Sequence, residues 1–106
     1  MRQIIWTLNK DDAAGNPAGG SVLGKGLSIE WQNGPLGCGE ERQEPNGAFV
    51  ETVLEAALQR LEYYNASKFR YRENSLAITH IEEALHWLKA RTESRQERGV
   101  KGTHAA

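Results

Sequence analysis

The sequence predicts an α+β chain, with short β-strands in residues 1–45 and then a long antiparallel helical hairpin and its tail in residues 46–106, the whole forming one domain. Three observations predict it. Residues 1–8 and 27–31 are rich in β-branched and aromatic types. From Asn46 onward the apolar residues recur at helical spacing, in two stripes. The join between the stripes, residues 67–72, is so short that the two helices must lie as antiparallel neighbours.

Met1-Arg2-Gln3-Ile4-Ile5-Trp6-Thr7-Leu8 reads as the first strand. Residues 9–26 hold five glycines and one proline, which predicts a long flexible loop interrupted by the apolar pair Val22-Leu23. Loops of that length in a small domain are usually functional or disordered, so the segment reads equally as a lid over a ligand or as plain disorder. Leu27-Ser28-Ile29-Glu30-Trp31 alternates apolar and polar with period two, and Asn33-Gly34-Pro35 ends it as a turn. The N-terminal part is thus expected to be a two-stranded unit. The first helix carries Phe49, Val50, Val53, Leu54, Ala57, Leu58, Leu61 and Tyr64, with Pro45 as the stop before it and Asn46 as its cap. Asn65-Ala66-Ser67 loosens its far end. The second stripe runs through Leu76, Ile78, Ile81, Ala84, Leu85 and Leu88, with Trp87 beside it. It continues as a charged end through Arg91, Arg95 and Arg98 to Gly99, a helix stop. No repeat at solenoid periods is present.

With 106 residues the chain has room for one core and not for two independent ones. Its mean hydropathy of −0.63 makes that core thin, and self-association is a usual remedy. A formal charge of −1 excludes the basic field that drives binding to long nucleic acid, so an anionic partner must be small and locally held. The single cysteine, Cys38, excludes an intramolecular disulfide and a multi-thiolate zinc site. The sequence shows no leader or long apolar run, so the expected setting is a reducing cytosol and not a membrane. Cys38 lies between Gly37 and Gly39 with no recognisable catalytic partner and is taken as incidental.

A search for catalytic groups finds little. His80 and His86 are six apart on one predicted helix, which does not place two ligands on one face as an i, i+4 pair would, so no metal is expected there. Exposed helical imidazoles are the favoured reading. Glu51, Glu55 and Glu62 with Glu82 and Glu83 could mimic the magnesium-binding carboxylates of all-helical nucleotide pyrophosphohydrolases, which is the rival enzyme reading. Solvated charge flanking apolar stripes explains the same residues, and no catalytic residue is assigned. The glycine-rich Gly19-Gly20-Ser21-Val22-Leu23-Gly24-Lys25-Gly26 fails as a phosphate loop, because Gly24-Lys25 runs into Gly26 and a strand instead of a serine or threonine and a helix. More informative are Tyr63, Tyr64, Phe69 and Tyr71 near the predicted helix ends, with Arg70, Arg72, Arg91, Arg95 and Arg98. Aromatic faces stack on bases and guanidinium forks pair with phosphates. Packing at a core or interface accounts for the tyrosines equally well, and a solvated helical tail accounts for the arginines. An oligomeric adaptor that binds another protein through the helix pair is a third reading.

The run Arg72-Glu73-Asn74-Ser75-Leu76-Ala77-Ile78-Thr79-His80-Ile81-Glu82-Glu83-Ala84-Leu85-His86-Trp87-Leu88-Lys89-Ala90-Arg91-Thr92, followed by Arg98-Gly99-Val100-Lys101-Gly102-Thr103-His104, resembles the helical-hairpin domain shared by phage Thoeris anti-defence proteins and anti-CBASS proteins. Ile29-Glu30-Trp31-Gln32-Asn33-Gly34-Pro35 and Asn46-Gly47-Ala48-Phe49-Val50-Glu51 are similar to the Thoeris branch, the first type, which carries a β portion before the hairpin. The resemblance implies a non-enzymatic sponge that assembles as a dimer or hexamer. Such a sponge holds cyclic nucleotide immune signals, glycocyclic ADP-ribose in particular and cyclic di- or trinucleotides in some relatives, without cleaving them and without a cofactor. It implies that Tyr64 stacks on adenine, that Asn74 and Arg91 line the same pocket, and, by a looser match, that Trp6, Lys25 and Arg42 contribute. A second site for cyclic oligonucleotides is implied at Arg98, Gly99, Val100, Gly102, Thr103 and His104. Lys101 departs from the pattern there, at a place where an acidic residue is expected. The implied setting is the cytoplasm of the infected bacterial host.

Overall fold

Among the residues described by the computed structural model, 3–37 and 39–97, the N-terminal part has three strands and not two. They are β1 (Ile4–Asp11), β2 (Pro17–Gly24) and β3 (Leu27–Trp31), joined as an antiparallel meander with β2 in the centre. The chain divides into two compact units, one ending at Phe49 and the other spanning Val50–Glu97.

The expected loop over residues 9–26 is therefore corrected. Its first residues finish β1, and its middle is a turn built by Asp12, whose carboxylate oxygen Oδ1 accepts from the backbone N–H of Ala14 and of Asn16, each at 2.9 Å. Gly15 completes that turn with φ +83°. The remainder, apart from the Lys25-Gly26 turn, is β2, a strand despite its glycines because one of them is required there. At Gly20 a Cβ would lie 2.1 Å from the carbonyl oxygen of Leu8 on the neighbouring strand. Local propensity votes for a loop, but two flanking strands supply all the backbone partners that make β2 a strand. No free lid remains in this segment.

The register puts Thr7, Val22 and Ile29 side by side on one face, and Leu8, Ser21 and Glu30 on the other. Ile29 and Ser21 are the buried side chains among the described residues, so this sheet has little interior.

Beyond β3 the chain makes a loop that returns to its own base. Asn46 Oδ1 accepts from the Asn33 N–H at 2.8 Å, and Asn46 Nδ2 donates to the Asn33 carbonyl at 3.1 Å. Gln32 Oε1 accepts from the Asn46 N–H at 2.9 Å. Ala48 forms a parallel bridge with Trp31, and Gly47 allows it, since a Cβ there would lie 2.6 Å from the Trp31 carbonyl. Asn46 is therefore not the cap of the first helix, which begins four residues later; its side chain is spent on the Asn33 peptide group. Asn46→Ala is expected to cost about 1 kcal/mol, because both hydrogen bonds are solvent-accessible. Faster hydrogen exchange at the Asn33 amide would register it.

The second unit is the expected hairpin, α1 (Val50–Asn65) and α2 (Arg72–Glu97). Its antiparallel sense follows from two contacts: Asn65 Nδ2 donates to Ser75 Oγ at 3.0 Å at the closed end, and Arg91 pairs with Glu51 at 3.9 Å toward the open end. Val53, Leu54, Leu58 and Leu61 of α1 and Ile78, Ile81, Ala84, Leu85 and Leu88 of α2 are half-buried, while Val50, Ala57, Tyr64 and Leu76, read as part of the stripes, are exposed. No residue of α1 is fully buried, as expected of two helices that cover only one side of each other. The Gly99 stop lies outside the described residues, as does Cys38.

Candidate functional site

The closed end of the hairpin is organised by its own polar groups. Ser67 Oγ donates to the Tyr64 carbonyl at 2.6 Å and accepts from the Phe69 N–H at 3.1 Å, which folds the turn after α1. Arg70 Nε donates to the Asn65 carbonyl at 2.9 Å, satisfying one of the acceptors left over at the end of α1. Asn74 Nδ2 donates to the Phe69 carbonyl at 3.0 Å, tying the first turn of α2 to the same loop. With the backbone so held, Tyr63, Tyr64, Phe69 and Tyr71 all stay exposed, between 37% and 57%. Four exposed aromatic rings at one end of a small unit make this end the candidate site.

The tyrosines have a cationic companion that sequence reading passed over. Arg60 holds its guanidinium carbon 4.8 Å from the centroid of the Tyr64 ring and 5.0 Å from that of Tyr63, and the two rings are tilted 55° to each other at 5.9 Å. The signal was in the spacing: Arg60, Tyr63 and Tyr64 are at i, i+3 and i+4, which on a helix are neighbours. Lys68 lies over Phe69 in the same way, at 5.4 Å.

Of the residues singled out in the sequence, Tyr64 and Asn74 thus share the closed end of the hairpin. Arg91 does not join them within one chain. It lies seventeen residues past Asn74 on α2, roughly 25 Å along the axis at 1.5 Å per residue, beside Glu51. That pair is too exposed to add much stability. In the other unit, Trp6 stands on β1 across from Leu23 and is 47% exposed. Lys25 sits in the two-residue turn between β2 and β3, its N–H donating to the Gln3 carbonyl at 3.0 Å. Arg42 is exposed just after the 3-10 turn Gly39–Glu41. Residues Arg98, Gly99, Val100, Gly102, Thr103 and His104 lie outside the described residues.

The carboxylates disperse. Glu51 faces Arg91, Glu83 faces His80 at 3.7 Å, and Glu93 faces Lys89 at 4.0 Å. Among the described residues no three of His, Cys, Asp and Glu gather as a metal site would require, and no helix is long and apolar enough to cross a membrane. The outward side of α2 has a shallow concavity of about 550 Å³ lined by Thr79, Glu82, Glu83, His86 and Trp87. Trp87, seen in the sequence only as lying beside the stripe, is 71% exposed, with the His86 ring edge-on at 5.7 Å.

Residues 28–93 match the family described as "Acb2/Tad1, hairpin domain", a span that takes in β3 from Ser28 on, all of α1, and α2 as far as Glu93. The chain is also 42% identical over 81 residues, 76% of its length, to "Thoeris anti-defense 1" of Bacillus phage SBSphiJ7. It spans about half the length of that relative, 54%. Over half of the chain thus follows one family pattern, and the candidate site at the closed end of the hairpin lies inside that half. The chain belongs to the Acb2/Tad1 hairpin-domain family.

Proposed function

We propose that the chain acts in phage evasion of bacterial immunity, as an anti-Thoeris protein that sequesters a cyclic nucleotide signal without transforming it. The observation that carries this reading is the cluster at the closed end of the hairpin, where exposed phenol rings, a guanidinium over them and the Asn74 amide lie together. A cyclic ADP-ribose isomer offers one flat adenine base and a pyrophosphate, the chemistry that stacked aromatics and guanidinium forks recognise. The ligand favoured is glycocyclic ADP-ribose, with cyclic di- or trinucleotides as further ligands through residues 98–104. Sequestration needs affinity and slow release and no catalytic group. The setting is the cytoplasm of the infected host.

In this reading Tyr64 stacks on adenine, Asn74 and Arg91 complete the pocket, and Trp6, Lys25 and Arg42 add contacts. Because Arg91 is a hairpin's length from Tyr64, bringing the two together takes a second copy laid antiparallel, so the assembly is a dimer or a hexamer built of dimers. The thin burial in both units supports this, since assembly would cover the half-exposed apolar stripes.

The test is capture and release. The protein is incubated with glycocyclic ADP-ribose, separated, heat-denatured, and the supernatant chromatographed. Intact ligand should reappear; no capture, or recovery of hydrolysed product only, would sink the proposal. Arg91→Ala should weaken capture by about 1–3 kcal/mol, the worth of a lost charged hydrogen-bond pair. Tyr64→Ala and Arg91→Ala proteins, unfolded and refolded together, should regain about one quarter of the sites, because half of the dimers are then mixed and each mixed dimer has one intact site of its two. No regain would show that Tyr64 and Arg91 do not meet across copies.

A further inference from the structure

Arg60 is assigned no role by the sequence reading, yet its surroundings are unusual for an exposed helical arginine. One turn back along α1 it meets Ala56 and Ala57, and one turn forward Tyr63 and Tyr64, so its face of the helix offers no carboxylate. It makes no ion pair with any described residue, whereas Arg91 faces Glu51 and Arg70 donates to the Asn65 carbonyl. Its guanidinium instead rests over two phenol rings, at 4.8 and 5.0 Å. An arginine so placed keeps its planar fork of N–H donors free at the ring edge while the rings limit the positions it can take. Lys68, Arg70 and Arg72 follow in the turn after the helix and the start of α2, and Glu55 and Glu62, its nearest carboxylates in the chain, make no ion pair with it among the described residues.

We propose that Arg60 is a phosphate-binding residue of the Tyr64 site, its fork taking the pyrophosphate of a nucleotide whose base stacks on Tyr64; this rests on the reading of Tyr64 as a stacking ring. A base and a guanidinium cannot occupy one ring face together. The base therefore either takes the opposite face or displaces Arg60, and the exposed aliphatic stem allows the fork to swing from the ring toward the phosphates. In the free protein the same contact shields the ring that the ligand will use.

The experiment is titration calorimetry of the full chain with glycocyclic ADP-ribose at several salt concentrations, comparing the unchanged protein, Arg60→Ala, Arg60→Lys and Tyr64→Ala. An exposed helical Arg→Ala change improves helix propensity, so the variant folds, and far-ultraviolet circular dichroism checks it. Arg60→Ala should bind about tenfold more weakly or worse, as expected for loss of a charged hydrogen-bond pair. The weakening of affinity with added salt should become shallower, because one screened charge pair is lost. Arg60→Lys should keep that salt dependence while losing part of the affinity, because a point charge remains and the fork does not. Unchanged affinity in Arg60→Ala would overturn the assignment. So would a weakening with unchanged salt dependence, which would mean that Arg60 only props Tyr64. Binding by the unchanged protein that survives Tyr64→Ala but fails in Arg60→Ala would remove the stacking reading and with it the shared site. Absence of binding by the unchanged protein would remove the ligand as well.

Discussion

Tyr64→Ala is expected to weaken capture of glycocyclic ADP-ribose by about 1–3 kcal/mol, roughly five- to 150-fold, the measured worth of one base–aromatic stack. The effect should be concentrated in binding and leave the hairpin standing. The Tyr64 ring is 37% exposed and is not part of a sealed core, so its removal opens no cavity that the helices must refill. What the backbone of Tyr64 does for the fold, accepting from Ser67 Oγ at 2.6 Å, does not depend on the side chain. Calorimetric affinity together with the thermal midpoint reads both properties, and a large fall in midpoint without loss of affinity would contradict the assignment. Tyr64→Phe should retain most of the binding, since stacking uses the ring and not the hydroxyl.

The largest structural effect is expected at the centre of the sheet. Gly20→Ala should destabilise the strand unit by about 3 kcal/mol or more, because it combines backbone strain with a steric clash. Gly20 has φ +151°, a conformation that side chains rarely adopt, and its added Cβ would meet the Leu8 carbonyl oxygen at 2.1 Å and the Asn9 Cα at 3.2 Å. Neither neighbour can move without pulling β1 off β2. Gly15→Ala is the control: φ is also positive there, at +83°, but nothing lies within 4 Å, so only a backbone penalty of about 1 kcal/mol is expected. Hydrogen exchange resolved by residue separates the outcomes. Gly20→Ala should release the amides of β1 and β2 while those of α1 stay protected, and uniform protection in both units would refute the reading.

The hairpin was legible in the sequence because the burial of a helix is written in its own spacing. Val53, Leu54, Leu58 and Leu61 on one side and Ile78, Ile81, Leu85 and Leu88 on the other are half-buried where the 3.6-residue period puts them. The short join made the antiparallel pairing a matter of chain length. Tyr64 was legible for the same reason, as one of the aromatic residues near that join, while Asn74 was added to it by the resemblance alone. Arg60 was equally readable from its i, i+3, i+4 relation to the tyrosines, since it lies one turn inside the helix end where they cluster.

Three readings depended on partners far away in the chain. The segment Pro17–Gly24 looked like a loop, since glycine and proline disfavour strands locally; β1 and β3 on either side make it one, and Gly20 is there because the Leu8 carbonyl leaves no room for a side chain. Asn46 looked like a helix cap, as an asparagine just before a helical stripe should. Its amide instead bonds the Asn33 peptide group thirteen residues back, a pairing that no local rule contains. Arg91 was grouped with Tyr64 and Asn74 by resemblance, and the antiparallel packing of the hairpin instead sets it beside Glu51 at 3.9 Å, at the end opposite the Asn65–Ser75 contact. By itself the sequence determined what is local and periodic: two amphipathic helices, their antiparallel join, and the aromatic cluster beside it. The tertiary structure decided the central strand, the loop base at Asn33 and Asn46, and the pairing of Arg91 with Glu51, because each depends on backbone and side-chain groups meeting across many residues of chain.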